Sequence, residues 1–161
     1  MSRRDLIRMS TEEAVAFLES ERVLICATNG PDGWPHLMPL WYVLREAAGD
    51  AALPCELWGW TYAASQKVRN VERDPHVTIA VETGEQYQEL RGVMLKTRAE
   101  RHHELDVVRG VGEQLFQRYS GAAVGDDFKQ VVEAQAAKRV ALRFVAESLA
   151  TWDHRKLGGV Y

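Results

Sequence analysis

The feature that most restricts the fold of this chain is a series of short β-rich segments joined by short connections. The first of them, Val23–Asn29, is apolar and β-branched, and the turn Gly30-Pro31-Asp32-Gly33 follows it at once. Apolar runs bounded by Gly, Pro and Asp are typical of strands and of the turns between them. Residues 35–44 would return as the second strand of a hairpin. Further strands are predicted at residues 57–62, 76–82 and 89–101.

Two serines mark the expected starts of short helices. Ser10 is followed by a threonine and two glutamates, and this hydroxyl cap with an acidic first turn predicts a helix at about residues 10–21. Ser65 is a suitable N-cap for a second helix at residues 65–74. Pro75 would end that helix, because the residue before a proline disfavours the α conformation.

The remainder of the chain changes in character. Residues 104–138 carry apolar side chains at helical spacing in two stretches, the second capped by Asp126 or Asp127, and residues 139–152 are predicted as a long final strand. The strand–helix alternation that builds a parallel sheet is absent. The expected architecture is therefore mainly β, an antiparallel Greek-key barrel with peripheral helices, in one domain spanning residues 1–161.

Composition excludes several classes of partner. The 161 residues carry a formal charge of −3, which is not the basic surface of a nucleic-acid-binding domain. No apolar run approaches the roughly 20 residues that span a bilayer, and the first ten residues are too polar for a signal peptide. Cys26 and Cys55 are expected to be buried free thiols in a reducing cytoplasm. The five histidines show no metal-ligand spacing, so we expect no metal site.

The strongest local chemical signal lies at the junction between the strand at residues 57–62 and the helix that follows it. Thr61 and Ser65 supply hydroxyls, and Lys67 and Arg69 supply positive charge. A helix start adds unpaired backbone N–H groups, so the junction is suited to an anionic group such as a phosphate. The alternative is an ordinary capped helix with a solvated basic face.

Aromatic residues suggest a second property. Large rigid side chains can flank a planar heterocycle, although packing in the core or at a subunit interface is the alternative. At the C-terminus, Trp152 is followed by the cations Arg155 and Lys156, which suggests a tail that docks on the protein rather than a solvated end. The tryptophans in the first three strands or their turns are Trp34, Trp41, Trp58 and Trp60.

Several motifs, in order, resemble one known family. They are Asp32-Gly33-Trp34-Pro35-His36, Pro39-Leu40-Trp41-Tyr42, Trp60-Thr61, Ser65-Gln66-Lys67-Val68-Arg69-Asn70 and the closing Trp152-Asp153-His154-Arg155-Lys156. Together they resemble the pyridoxamine 5'-phosphate oxidase-like proteins, and more narrowly the flavin/deazaflavin oxidoreductases of the split β-barrel fold. The resemblance covers nearly the whole chain. The C-terminal substrate motif of the oxidase that makes pyridoxal phosphate is not found here.

The resemblance implies a homodimer of split β-barrels with a cofactor site at each side of the subunit interface. Thr61, Ser65 and Lys67 would hold the cofactor phosphate, with Arg69 and Asn70 in support. The remaining residues would line the ring system or reach the neighbouring subunit's site. Those expected along the rings are His36, Pro39, Trp41 and Trp60, and those expected to reach across are Trp152, Arg155 and Lys156.

The expected function is an oxidoreductase that transfers a hydride between the deazaflavin F-420 and a small organic acceptor. FMN is the alternative cofactor, and a non-catalytic carrier of a cofactor or small molecule is the alternative class. The family also includes haem-handling and biliverdin-reducing proteins. No catalytic residue is assigned. His36, Tyr62 and His154 are the candidates for proton transfer.

Overall fold

One antiparallel sheet of seven strands forms the body of the protein in a computed structural model that describes residues 2–49, 51–121 and 125–159. Its spatial order is β2-β1-β5-β6-β7-β4-β3, and every neighbouring pair is antiparallel. The sheet curls into a half-barrel, which confirms the expected split-barrel architecture. The strands are β1 Val23–Asn29, β2 Pro35–Trp41, β3 Val43–Glu46, β4 Cys55–Tyr62, β5 His76–Thr83, β6 Arg91–His102 and β7 Arg139–Asp153.

The helices lie around this sheet. Ser10 caps α2 as predicted, with its hydroxyl accepting from the Glu13 amide at 3.2 Å and its own amide donating to the Glu13 carboxylate at 2.7 Å. The N-cap of α5 is Gly125, so the prediction of Asp126 or Asp127 was wrong by one or two residues. The helices are α1 Arg3–Leu6, α2 Thr11–Ser20, α3 Gln66–Arg73, α4 Leu105–Ser120 and α5 Asp126–Ala136, with 3₁₀ turns at Tyr87–Glu89 and His154–Leu157.

The strand predicted over residues 35–44 is interrupted at Tyr42, so it forms two strands, β2 and β3. The Tyr42 side chain is fully buried, and its hydroxyl donates to the Leu18 carbonyl at 2.6 Å. This bond draws the side chain towards the end of α2. After the break, β3 pairs with β4 instead of continuing the hairpin with β1. The prediction was wrong here because an aromatic and β-branched run does not show where a strand changes partner.

Two apolar cores lie on opposite sides of β4. The larger fills the curl of the sheet under α2 and α3, and the smaller lies beneath α4 and α5. Gly59 of β4 allows the end of β2 to approach, since a Cβ there would lie 2.7 Å from Leu40 Cδ2. Gly112 of α4 packs against the Trp60 ring in the same way, since a Cβ there would lie 2.5 Å from Trp60 Cζ3. Strand β4 is consequently buried on both faces.

Cys26 and Cys55 are both unpaired and buried, as expected. Within the described ranges, no helix combines the length and the apolar character needed to cross a bilayer. The described part of the chain also holds no group of three or more potential metal ligands.

Candidate functional site

The amino end of α3 carries a buried, nearly unpartnered lysine. Lys67 is 8% exposed, and its Nζ donates to Thr61 Oγ1 on β4 at 3.0 Å. No carboxylate forms an ion pair with it among the residues that the structure describes. Burial lowers the pKa of Lys67, an effect that the nearby Cys26 thiol partly offsets. A buried ammonium that donates to a single hydroxyl still has N–H donors and a positive charge available for an anion.

Ser65 provides the second unmet polar group. It is the N-cap of α3 in the expected extended conformation, and its carbonyl accepts from the amides of Val68 at 3.1 Å and Arg69 at 3.3 Å. Its hydroxyl makes no capping bond, and Oγ is buried without a hydrogen-bond partner in the described structure. The first amides of a helix also lack intrahelical acceptors. The Ser65 hydroxyl and the Lys67 ammonium thus both belong to the first turn of α3, where backbone amides are also unpaired.

Asn70 fixes α3 to the sheet. It is fully buried, and its Nδ2 donates to Thr28 Oγ1 on β1 at 3.0 Å. Gln66 Nε2 donates to Asn70 Oδ1 at 2.9 Å, and the Thr28 hydroxyl in turn donates to the His36 carbonyl at 3.4 Å. Asn70 thus holds the amino end of α3 against β1. Arg69 points to solvent and is exposed.

Thr28 and Gln66 belong to the hydrogen-bonded network around Asn70, although neither was predicted from the sequence as a site residue. A lone threonine in the apolar strand Val23–Asn29 was the available signal, because a fully buried hydroxyl needs a partner.

Strand β2 divides its predicted site residues between two faces. His36 pairs with Thr28 and shares its inward face, where its Nδ1 is buried and unpartnered in the described structure. Pro39 and Trp41 lie on the other, outward face and are exposed. The Trp41 ring stacks on Tyr119 with centroids 4.3 Å apart and 11° between planes. Of His36, Pro39 and Trp41, only His36 lies on the inward face of the sheet, where Asn70 contacts Thr28.

The aromatic residues of β4 turn away from Lys67. Trp60 and Tyr62 alternate with Thr61, so their rings lie on the opposite face, towards α4 and α5. The Arg139 guanidinium covers both, at 4.7 Å from the Trp60 centroid and 4.1 Å from that of Tyr62. Within one chain, the Trp60 side chain therefore lies on the face of β4 opposite the Thr61 hydroxyl that contacts Lys67.

The C-terminal segment docks on its own chain. The Lys156 Nζ lies 2.5 Å from Glu13 Oε2, and the Arg155 guanidinium lies 2.6 Å from a carboxylate oxygen of Asp153. These bonds from Arg155 lower the pKa of Asp153. The Trp152 ring covers Gly92, where any Cβ would overlap it. In one chain, both cations of the tail therefore already have carboxylate partners.

The outward face of the sheet carries a continuous row of apolar side chains, which we call the apolar row. Strand pairing sets these side chains side by side across five strands, and none of them is buried. Monomeric proteins rarely expose contiguous apolar patches of several hundred Å². The row consists of Pro39, Ile25, Ala80, Met94 and Ala150, flanked by exposed Leu37, Val23 and Trp41.

Comparison with known proteins decides the family. The family model described as pyridoxamine 5'-phosphate oxidase matches residues 10–153. The chain belongs to this family. A search of curated proteins gave no significant sequence match. The matched range includes β1 to β7, so the family assignment covers the whole sheet.

Solved structures extend this family assignment. A conserved hypothetical protein from Mycobacterium tuberculosis is 39% identical, with a TM-score of 0.85, and the match covers 100% of this chain and 95% of that one. An F-420 reductase is 21% identical with a TM-score of 0.61, over 83% of this chain and 93% of that one. The heme storage protein HutZ from Vibrio cholerae is 16% identical with a TM-score of 0.63, over 86% and 91%. The last two show the fold alone. This pyridoxamine 5'-phosphate oxidase family member therefore shares its fold with oxidoreductases and with a storage protein.

Proposed function

We propose that this protein is an oxidoreductase that binds F-420 by a phosphate at the amino end of α3 and reduces or oxidises a small organic compound. The observation that carries the proposal is the pair formed by the unpartnered Ser65 hydroxyl and the buried Lys67 ammonium. A phosphate would give both groups the acceptor that the described chain does not supply. The membership of a family that includes flavin-binding oxidoreductases supports the proposal.

The residues around α3 fit a phosphate-bearing cofactor in charge as well as in hydrogen bonding. Lys67 would place its positive charge against the phosphate while Thr61 Oγ1 holds the Nζ in position. Asn70 would keep the helix end fixed through Thr28. When bound, the cofactor would supply the hydride chemistry, and the protein would supply orientation and a water-poor environment.

F-420 is preferred to FMN on the subgroup resemblance of the motifs and on the fold shared with an F-420 reductase. His36 is the residue of β2 best placed for a polar contact with the ring system, because its Nδ1 is buried and unpartnered in the described structure. Trp41 and Pro39 would serve the site only from the outward face, so their contribution requires a second subunit.

A homodimer is part of the proposal. The apolar row would be covered by the same face of a second copy, as in an isologous interface. Trp152 supports this arrangement, because it pairs with Gly92 in the neighbouring row of the same outward face. The closing segment 152–156 would then lie at the subunit boundary, close to the partner's site.

Parallel binding titrations with F-420 and FMN test the proposal. We expect F-420 to bind more tightly, and Lys67→Met to weaken binding of either cofactor by about 10- to 150-fold, the value of one charged hydrogen bond. Lys138→Met is the matched control, since Lys138 is an exposed lysine that does not belong to α3 or to the proposed site. Equal affinity of wild type and Lys67→Met for both cofactors would contradict the phosphate site.

Activity requires a separate measurement. Steady-state reduction of added acceptors by reduced F-420 should occur with the wild-type protein and fall with the Lys67 variant. Tight binding of F-420 without turnover of any acceptor would instead favour a carrier. Tighter binding of FMN than of F-420 would reverse the choice of cofactor.

A further inference from the structure

The amino end of α3 offers one buried positive charge. Lys67 is 8% exposed, and it is the only cation among the buried polar and charged residues that the structure describes. Two further cations lie near the same junction. Arg69 follows in the helix, and the Lys138 carbonyl accepts from the Ala63 amide at 3.1 Å, but both of these side chains are exposed. Water and salt screen exposed charges more than buried ones, so the full charge available in the interior is that of Lys67.

The groups around Lys67 add hydrogen-bond donors but no second full charge. Thr61 on β4 accepts from its ammonium, and the Ser65 hydroxyl has no partner in the described structure. Burial raises the pKa of the nearby Cys26 thiol to about 11, so this neighbour on β1 is uncharged at neutral pH. The first amides of α3 contribute donors and the partial positive charge of a helix end.

Phosphate esters differ in the charge that such a site must balance. A phosphate monoester loses its second proton with a pKa of about 6, so it carries nearly two negative charges at neutral pH. A phosphodiester has no second proton to lose and keeps a single charge. A second negative charge that leaves water without a partner is unfavourable. One buried ammonium therefore matches a diester better than a monoester.

We propose that the site at the amino end of α3 selects phosphodiesters over phosphate monoesters, because its single buried ammonium balances a single negative charge. This inference rests on the phosphate site proposed above and names the class of phosphate that the site takes. F-420 carries its phosphate as a diester, whereas FMN is a monoester. Lys67 would thus contribute to the choice between the two cofactors independently of their ring systems.

Four ligands separate the effect of the phosphate from that of the ring. F-420 and the monomethyl ester of FMN are diesters, whereas FMN and the deazaflavin 5'-phosphate obtained by cleaving the F-420 diester are monoesters. Fluorescence titrations give the Kd of each at pH 8 and at pH 6. Because each diester is compared with the monoester of the same ring at the same pH, the titration of histidines in the protein affects both members of a pair alike.

The ratio of the two Kd values should depend on pH. At pH 8 about one monoester in a hundred carries a single charge, so we expect the diester of each ring to bind about 10- to 100-fold more tightly. At pH 6 about half of the monoester is singly charged, and the ratio should fall to about twofold.

Substitution of Lys67 links this selectivity to the buried charge. Lys67→Met should raise the Kd of both diesters about tenfold or more, and Lys67→Gln provides a second neutral variant if Lys67→Met folds poorly. Lys138→Met is the matched control, since it removes an exposed lysine whose backbone lies beside the same junction. It should leave all four Kd values nearly unchanged.

The outcomes distinguish the selectivity from the site itself. If a monoester binds as tightly as its diester at pH 8 and loses that affinity in Lys67→Met, the phosphate site stands and the inferred selectivity is wrong. A ratio that is the same at both pH values, or a preference that follows the ring, would also overturn the selectivity alone. Binding that Lys67→Met leaves unchanged, or no binding of any of the four ligands, would contradict the phosphate site and the inference with it.

Discussion

A partly buried arginine and a buried lysine of this protein have opposite surroundings. Arg143 on β7 reaches both oxygens of Glu56 at 2.7 Å and Glu100 at 2.9 Å, while Glu56 is only 2% exposed. Lys67 is buried but meets a single hydroxyl. A buried charge is tolerated when it is compensated, so Arg143 has a structural explanation within the chain. Lys67 has none there, which is why we assign it to a ligand.

Arg143→Met should have the largest effect on stability. It leaves Glu56 as a buried carboxylate without its main partner, and breaking such a pair costs about 3–5 kcal/mol. We expect the lower end of that range, because 22% of the Arg143 side chain is exposed. Urea unfolding measures the loss, and F-420 affinity of the folded variant should stay unchanged. The double variant Glu56→Gln with Arg143→Met should recover much of the stability, since it removes both charges.

The unfolding free energy lost in Arg143→Met should depend on pH. Hydrogen bonds from Arg143 lower the pKa of Glu56 below its ordinary value of 4.5. The pair therefore contributes its full stability above pH 4.5, and this contribution disappears as the pH falls through the lowered pKa. The difference in unfolding free energy between wild type and Arg143→Met should shrink on acidification. A constant difference from pH 7 to pH 3 would show that Arg143 acts through packing alone.

Lys67→Met should show effects of opposite sign on binding and on stability. Burial lowers the pKa of Lys67, so the folded chain disfavours the charged form, and this cost is present at neutral pH. Removing the charge should raise the melting temperature of the cofactor-free protein while it weakens cofactor binding. Differential scanning calorimetry with and without F-420 measures both. A lower melting temperature without cofactor would mean that Lys67 is compensated in the chain, as Arg143 is.

The sequence allows a site to be predicted around Lys67 but does not show the partner of Arg143. The junction of β4 and α3 is local, so Thr61, Ser65 and Lys67 could be proposed from one short segment. The partner of Arg143 lies 87 residues away, and no local pattern links the two. The signal that was available is Glu56, the single charged residue of strand Cys55–Tyr62, and Arg143, the single charged residue within the apolar run 140–146 of β7. Such residues need a partner if their strands are buried.

The sequence also does not show on which face of a strand each predicted site residue lies. In a strand with one wet face, the alternation of apolar and polar residues shows which side chains share a face with the core. Both faces of β4 are buried, so its sequence does not show that Trp60 turns towards α4 while Thr61 turns towards α3. The identity of the predicted site residues was accessible from motifs, whereas their distribution between faces required the packing of the helices.

Ser65→Ala should separate binding from capping. The Ser65 hydroxyl makes no capping bond and is buried without a partner in the described structure, so its removal should leave the melting temperature of the cofactor-free protein nearly unchanged. F-420 affinity should fall about tenfold, equal to one hydrogen bond of about 1.4 kcal/mol. Ser10→Ala is the control, because Ser10 does cap α2 and its loss should cost about 1 kcal/mol. Equal destabilisation by both changes would remove Ser65 from the proposed site.

The smallest effect is expected at the tail, where the cations are intermediate between Lys67 and Arg143. Arg155 and Lys156 are paired with Asp153 and Glu13, so little of their charge is left for the cofactor that a partner subunit would hold in the proposed dimer. The variant Arg155→Ala with Lys156→Ala should weaken F-420 binding about two- to threefold and leave the proposed dimer intact, as exposed ion pairs are worth about 0–1 kcal/mol. Titration together with analytical ultracentrifugation checks both. A loss as large as that of Lys67→Met would mean that the two cations change partners in the dimer, and that pairing within one chain does not exclude a role in the site.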